Sequence, residues 1–273
     1  MSAVDGLARY AAGLACAARG AWREAEAHHA GALAAWGRDG RAAAVDRGLV
    51  ERARDGADAC ATAAEVAVEL HRLVPAAHRR GAALLAASGA RSPHVRVLAD
   101  LASLLARGPA PLGVVRALHR RTPGLAAALT DREWLVVGGS VRATPRCAEF
   151  LRAVNAAHAE AVERLWPDPP VVELVVEHPM AAARTGPSPQ ARLFDLLRAL
   201  RYQRADAHHT AAQHTAAHHT AAHHTAAHQA AGAEHRSTSE DERVTDLAAS
   251  APYRRIDRAR RAALVTDLRG LAD

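Results

Sequence analysis

The sequence predicts a mainly α-helical fold, an array or bundle of helices with one small β-hairpin. Alanine, which has the highest helix propensity, is abundant throughout the 273 residues. Aromatic residues make up only 3% of the chain, so we expect helices that pack through small side chains. The clearest strand character lies in residues 134–144, where apolar residues flank Gly138-Gly139.

The N-terminal third carries a pattern of small residues around one tryptophan. Residues 13–25 read Gly-Leu-Ala-Cys-Ala-Ala-Arg-Gly-Ala-Trp-Arg-Glu-Ala. This pattern resembles a tetratricopeptide repeat, which is a helix–turn–helix unit. The resemblance implies that Gly13, Ala25 and Ala32 lie at close helix–helix contacts. It also implies that Gly20 sits at the turn and that Trp22 opens the second helix.

Two weaker copies of this pattern follow. Gly48-Leu49 precedes Gly56, and Gly81-Ala82 precedes Gly89, so the unit starts are 35 and 33 residues apart. That spacing is close to the period of helix–turn–helix repeats. We therefore expect residues 1–92 to form tetratricopeptide-like repeats that present a concave surface to a protein partner. A plain helical bundle is the alternative.

Residues 93–165 begin with signals for two helices. Apolar residues from Val95 to Leu105 recur at intervals of three and four, which indicates a helix. Gly108-Pro109 ends that helix. A second helix is expected from Pro111 to His119, and Arg120-Arg121 follows it.

A third helix, a hairpin and a last helix complete this segment. Thr122-Pro123 is a helix-start signal, so we expect a helix from there to about Arg132. The hairpin 134–144 comes next, and a helix from Ala148 to Leu165 ends the segment. This order, with Thr144-Pro145 after the hairpin, resembles the winged-helix domains of bacterial regulators. The resemblance implies binding to double-stranded DNA.

The charge of the middle segment agrees with that resemblance. The chain has a net charge of +6, and it contains arginine but no lysine. The planar guanidinium fits both phosphate groups and guanine edges. A solvated basic face on a domain that does not bind DNA is the alternative. The predicted DNA contacts are Arg116, His119, Arg120, Arg121, Arg132, Arg142 and Arg146.

Residues 166–273 are expected to form a helical tail. Val171–Glu177 fits a strand or a helix equally well, and Gln190–Arg204 has the apolar spacing of an amphipathic helix. Residues 197–208 and 244–253 are similar to segments of the SalK-like actinobacterial proteins. Those proteins combine helical and winged-helix parts, and in them a winged-helix region lies between the two segments. Here that gap holds a histidine repeat and is too short for a winged helix.

The histidine repeat occupies residues 208–235 and advances in steps of five residues. If the segment is helical, histidines four residues apart share a face, and two imidazoles at that spacing can chelate one Zn²⁺ or Ni²⁺ weakly. A solvated helix or spacer that arose by repeat expansion is the alternative. The candidate metal ligands are His214, His218, His219, His223, His224 and His228.

Other features exclude several classes of protein. The chain has neither a Gly-rich phosphate loop nor a nucleophile elbow, and we expect no enzymatic activity and no cofactor beyond weakly bound Zn²⁺ or Ni²⁺. Cys16, Cys60 and Cys147 are isolated, which suits reduced thiols in a cytoplasm. No apolar run is long enough to cross a membrane, so no membrane partner is expected.

The function that the sequence favours is a transcriptional regulator or regulatory adaptor that binds DNA through residues 93–165. A homodimer is a further expectation. The first alternative is a helical-repeat interaction scaffold that does not bind DNA. The second is a histidine-rich metal-binding protein.

Overall fold

A computed structural model describes residues 3–18, 21–36, 40–118, 124–222, 242 and 244–271. Over these residues the chain is mainly α-helical and carries one small antiparallel sheet, so the predicted fold class is confirmed.

The described helices and strands occur in the following order. The N-terminal helices are α1 (Ala3–Ala18), α2 (Trp22–Trp36) and α3 (Gly40–Ala87). The middle elements are α4 (Val95–Leu105), β1 (Ala110–Pro111), α5 (Leu112–Ala117), α6 (Leu125–Thr130), β2 (Leu135–Val137), β3 (Ser140–Ala143) and α7 (Pro145–Leu165). The C-terminal helices are α8 (Pro189–Ala222), α9 (244–249) and α10 (Arg258–Gly270). Short 3-10 helices form at Pro179–Ala182 and Tyr253–Arg255.

The chain divides into two compact units. The first contains the described residues of 1–66 and 204–265, and the second contains those of 67–203 and 266–273. Helices α3, α8 and α10 contribute residues to both units. Each unit therefore combines segments that are far apart in the chain. The sequence analysis instead predicts the three consecutive segments 1–92, 93–165 and 166–273.

The first unit begins with a helical hairpin of α1 and α2. Helix α2 starts at Trp22, and Ala25 and Ala32 are completely buried, as the sequence predicted. Gly13 lies against the imidazole of His29, where a Cβ atom would collide with the ring. The absence of a side chain at Gly13 thus permits the close approach of α1 to α2. Gly20 lies outside the described residues.

The predicted repetition of this hairpin is wrong. Residues 40–87 form the single helix α3, so Gly56, which corresponds to the turn residue Gly20, lies inside a helix and not at a turn. Gly89, at the corresponding position of the last copy, does follow the end of α3, with a φ of 77°. Gly56 and Gly81 lie against aromatic rings. A Cβ at Gly56 would lie 2.5 Å from Cδ2 of Trp22, and one at Gly81 would lie 2.7 Å from Cδ2 of His158. These glycines are packing positions.

The second unit holds an extensive hydrophobic core. The apolar face of α4 meets α7 and the sheet there, and the buried residues include Leu98, Leu101, Trp134 and Phe150. Leu193, Phe194, Leu197 and Leu200 of α8 are also buried. The predicted amphipathic helix at Gln190–Arg204 is therefore confirmed, and it continues to Ala222.

Candidate nucleic-acid interface

The middle segment contains a helix, a strand, two short helices, a hairpin and a long helix, in that order. Helix α4 has the predicted bounds. The predicted helix Pro111–His119 is shorter, because Ala110–Pro111 form a strand and the helix spans Leu112–Ala117. Helix α6 begins at Leu125 after Gly124, whose φ is 86°, and ends at Thr130. The start signal Thr122-Pro123 lies outside the described residues.

The three strands form one antiparallel sheet in the order β1-β3-β2. In the hairpin, Val136 lies opposite Arg142 and Val137 opposite Val141, with Gly138-Gly139 at the turn. On the other side of β3, Ala110 lies opposite Val141. The buried side chain of Val141 anchors the hairpin in the core, and Arg142 on the opposite face is exposed.

Thr144 joins the hairpin to α7. Its hydroxyl accepts a hydrogen bond from the Cys147 backbone N–H (3.2 Å) and donates one to the Glu133 carbonyl oxygen (2.7 Å). Pro145 occupies the first turn of α7, where its missing N–H costs nothing. Helix α7, the last helix of the middle segment, therefore starts at Pro145, three residues earlier than predicted, with Thr144 as its N-cap.

A cluster of rings supports the base of the hairpin. Trp134 is buried, and its ring lies edge-to-face against Phe150 (5.7 Å between centroids) and His94 (6.5 Å). His94 Nε2 lies 2.8 Å from Asp131 Oδ2, just after α6. This hydrogen bond lowers the pKa of the Asp131 carboxyl below its ordinary value. The hairpin and the end of α6 are thus held by side-chain contacts as well as by the sheet.

Three of the predicted DNA contacts present guanidinium groups to solvent. Arg116 on α5, Arg132 after α6 and Arg142 on β3 are all exposed. None of the three forms an ion pair or side-chain hydrogen bond with another residue in the described part of the chain. They are therefore available for an anionic ligand.

Arg146 differs from these three. Its Nη1 lies 3.3 Å from Glu133 Oε2, and its guanidinium lies 4.9 Å from the centroid of the Trp134 ring. This arginine is already engaged, so we expect it to contribute less to anion binding. His119, Arg120 and Arg121 lie outside the described residues.

The histidine repeat is only partly described. The backbone of α8 is helical through Ala222, so His214 and His218 are one helical turn apart in the backbone. The backbone of His219 is also in α8, but its predicted partner His223 lies outside the described residues, as do His224 and His228. The side chains of residues 212–222 are not described. Among the described residues there is no group of three or more His, Cys, Asp or Glu placed to hold a metal ion.

The sequence did not reveal a pair of contacting histidines in the second unit, the buried His158 and the half-buried His78. His158 Nδ1 donates to the Val154 carbonyl oxygen (2.8 Å), so the neutral His158 Nε2 accepts from His78 Nδ1 (3.1 Å). Both rings pack against Phe194. Burial lowers the pKa of His158 to about 4 and that of His78 to about 2. The two histidines are 80 residues apart, and no local motif links them.

Arg198 is another buried group that the sequence did not single out. Its Nη1 donates to Ser103 Oγ (2.8 Å), its Nη2 donates to the Asp100 carbonyl oxygen (3.1 Å), and Asp195 Oδ1 lies 3.8 Å away. Asp195 also accepts hydrogen bonds from the backbone N–H and hydroxyl of Thr185. These bonds tie α8 to α4 and have a structural role.

No family model, no curated protein and no solved structure matches the chain. Within the described ranges, no helix combines the length and the apolar character needed to cross a membrane.

Proposed function

We propose that residues 93–165 bind double-stranded DNA and that the protein acts as a transcriptional regulator or regulatory adaptor. The observation that carries this proposal is the order helix, strand, helix, helix, hairpin, with β1 closing a three-stranded sheet against the hairpin. That order is typical of winged-helix domains, and the cytoplasmic location predicted from the cysteines belongs to the same proposal.

Helix-turn-helix domains place their second helix in the major groove, and side chains around it contact phosphates and bases. Here α5 and α6 would be the helix pair, with α6 entering the groove. Arg116 lies on α5, Arg132 follows the end of α6, and Arg142 belongs to the hairpin that would contact the adjacent DNA backbone. Their exposure and lack of ion pairs with described residues support the assignment, because no internal contact must be broken on binding.

The alternative of a repeat scaffold receives less support. Repeat proteins need several stacked units to bury a continuous core and to form a concave surface. Only the α1–α2 hairpin matches such a unit among the described residues, since residues 40–87 form one helix. That the N-terminal helices bind a protein partner stays a prediction, and the expected concave surface of stacked repeats does not support it.

The test is a titration of the full-length protein with a random-sequence DNA duplex, measured by fluorescence anisotropy between about 50 and 200 mM salt. Each phosphate contact contributes about −0.9 to the slope of log K against log salt concentration. We expect Arg116→Ala, Arg132→Ala and Arg142→Ala each to make that slope less steep by about 1.

Two control variants separate specific contacts from a general loss of charge. Arg52→Ala removes one exposed arginine of α3 in the first unit and should leave the slope near that of the wild type. Arg146→Ala should have a smaller effect than Arg142→Ala, because Arg146 is already engaged by Glu133 and Trp134. No binding at about 50 mM salt, where backbone electrostatics are strong, or equal effects of all five variants would overturn the proposal.

A further inference from the structure

A second surface of the molecule lies in the segment between α7 and α8. Residues 171–177, here called the edge segment, read Val-Val-Glu-Leu-Val-Val-Glu. Side-chain exposure alternates along it, with odd-numbered residues exposed and even-numbered residues half-buried. A period of two residues is that of an extended strand. No residue of the segment has a positive φ, and the Asp168-Pro169-Pro170 stretch before it favours extended backbone.

The edge segment has the side-chain alternation of a strand but belongs to no sheet among the described residues. Residues 169–176 make no backbone hydrogen bond to any residue that the structure describes. Its odd-numbered positions also leave two β-branched side chains in solvent, since Val171 is 89% exposed and Val175 is 60% exposed. An extended backbone with open hydrogen-bonding groups and exposed valines is a template for pairing with another strand.

The even-numbered side chains face the protein's own second unit. Val172, Leu174 and Val176 line a groove of about 430 Å³, and Leu193 and Leu196 of α8 line its other side. The edge segment is therefore held by one face, while the backbone N–H and C=O groups of residues 171–176 have no backbone partner among the described residues. These groups are available to an added strand.

We propose that the edge segment pairs antiparallel with the same residues of a second copy of this chain. A two-fold axis at Leu174 would place Val171 opposite Glu177, Val172 opposite Val176 and Glu173 opposite Val175. No carboxylate then faces another carboxylate. Moving the axis to Glu173 would place that residue opposite itself, and moving it to Val175 would place Glu173 opposite Glu177. Like charges directly opposite are destabilising.

The prolines agree with the same register. In the pairing centred on Leu174, Pro169 of one copy would lie opposite Pro179 of the other, at both ends of the ladder. Proline has no N–H to donate, so it ends a ladder. The self-complementary charge pattern and the symmetric proline positions identify a second copy as the occupant, in preference to an unrelated strand. The pairing is independent of the proposed DNA binding.

The test compares the self-association of full-length variants by sedimentation velocity over a range of concentrations. Val175→Glu would place a carboxylate opposite Glu173 of the partner subunit, twice in each dimer. We expect the dimer dissociation constant to rise on the order of tenfold. The double variant Val175→Glu with Glu173→Arg should restore it, because each new carboxylate then faces a guanidinium. The matched control is Val68→Glu, which alters a 65% exposed valine on α3 of the same unit.

Hydrogen exchange measures the protection of backbone amides, which strand pairing in the edge segment would increase and a dimer formed elsewhere would not. Backbone amides of residues 171–177 should become protected as the protein concentration rises through the dimerisation range, and those of Val175→Glu should not. Circular dichroism checks that each variant keeps its helical content. A wild-type chain that stays monomeric at the highest attainable concentration overturns the proposal. So does a Val68→Glu effect as large as that of Val175→Glu, or a dimer without protection in the edge segment.

Discussion

The buried residue His158 and its partner His78 lead to a quantitative prediction about acid stability. His158 is buried against Phe194 and accepts a hydrogen bond from His78. Its imidazole is therefore neutral in the folded protein. Its pKa is lowered from 6.5 to about 4, mainly by burial and also by the Arg198 guanidinium, against the opposing effect of the hydrogen bond to the Val154 carbonyl oxygen. The unfolded chain therefore binds a proton at pH values where the folded chain does not.

The sign and size of the effect follow from this difference. The contribution of His158 to stability is fully present above about pH 6.5 and declines as the pH falls toward about 4, where the folded protein is protonated too. Each pH unit within that range costs about 1.4 kcal/mol. Between pH 7 and 4.5 the wild type should thus lose about 2–3 kcal/mol of unfolding free energy through His158 alone. His78, whose pKa is also lowered, acts in the same direction.

The measurement is urea unfolding followed by circular dichroism at several pH values from 7 to 4.5. In His158→Gln the titrating group is gone, so the unfolding free energy should depend less steeply on pH than in the wild type. Val162→Ala is the control, because it removes buried apolar contacts from the same helix without removing a titratable group. It should lower stability by about 1–3 kcal/mol at every pH. Parallel curves for the wild type and His158→Gln would refute the reasoning.

Three further predictions concern packing, capping and the histidine repeat. Ala25→Leu should cost on the order of 1–3 kcal/mol of unfolding free energy, because Ala25 is completely buried in α2; a neutral result in chemical denaturation would show that α1 and α2 are not closely packed. Thr144→Ala should cost about 1 kcal/mol through loss of the N-cap bond to Cys147, whereas Thr144→Ser should keep most of it, as thermal melts can check. Titration calorimetry should detect weak Ni²⁺ or Zn²⁺ binding by imidazole pairs such as His214 and His218, weaker below about pH 6 as the rings protonate; one tight site with a large rise in melting temperature would contradict it.

Local signals in the sequence located several elements to within a few residues. The apolar spacing from Val95 to Leu105 predicted the bounds of α4, because the leucines at this spacing, Leu98, Leu101, Leu104 and Leu105, are all buried. The Gly138-Gly139 turn located the hairpin for a similar reason, since the turn chemistry is local. Local signals could not predict strand pairing between residues that are distant in the sequence. Strand β1 is two residues long and exists only through its bonds to β3 about thirty residues later.

The errors of the sequence reasoning have a physical cause as well. In an alanine-rich chain, Gly56 is predicted to lie at a turn between repeats, yet it lies inside α3 and is a contact site for the ring of Trp22 in another helix. The charge of the candidate interface was predictable, because exposed arginines need no partner. The engagement of Arg146 by Glu133 and Trp134 was not, since it depends on how the hairpin meets α7.

The pairing of rings with glycines reverses a common rule of protein engineering. Replacing glycine by alanine inside a helix ordinarily stabilises it by up to about 1 kcal/mol. At Gly56 and Gly81 the added methyl group would meet the rings of Trp22 and His158 at 2.5 and 2.7 Å, so a ring or helix would have to shift. Glycine and alanine codons differ by one nucleotide, so this exchange is easily reached by mutation. The chain has few aromatic residues, so the contacts of these rings matter to its packing. We therefore expect selection against alanine at Gly56 and Gly81.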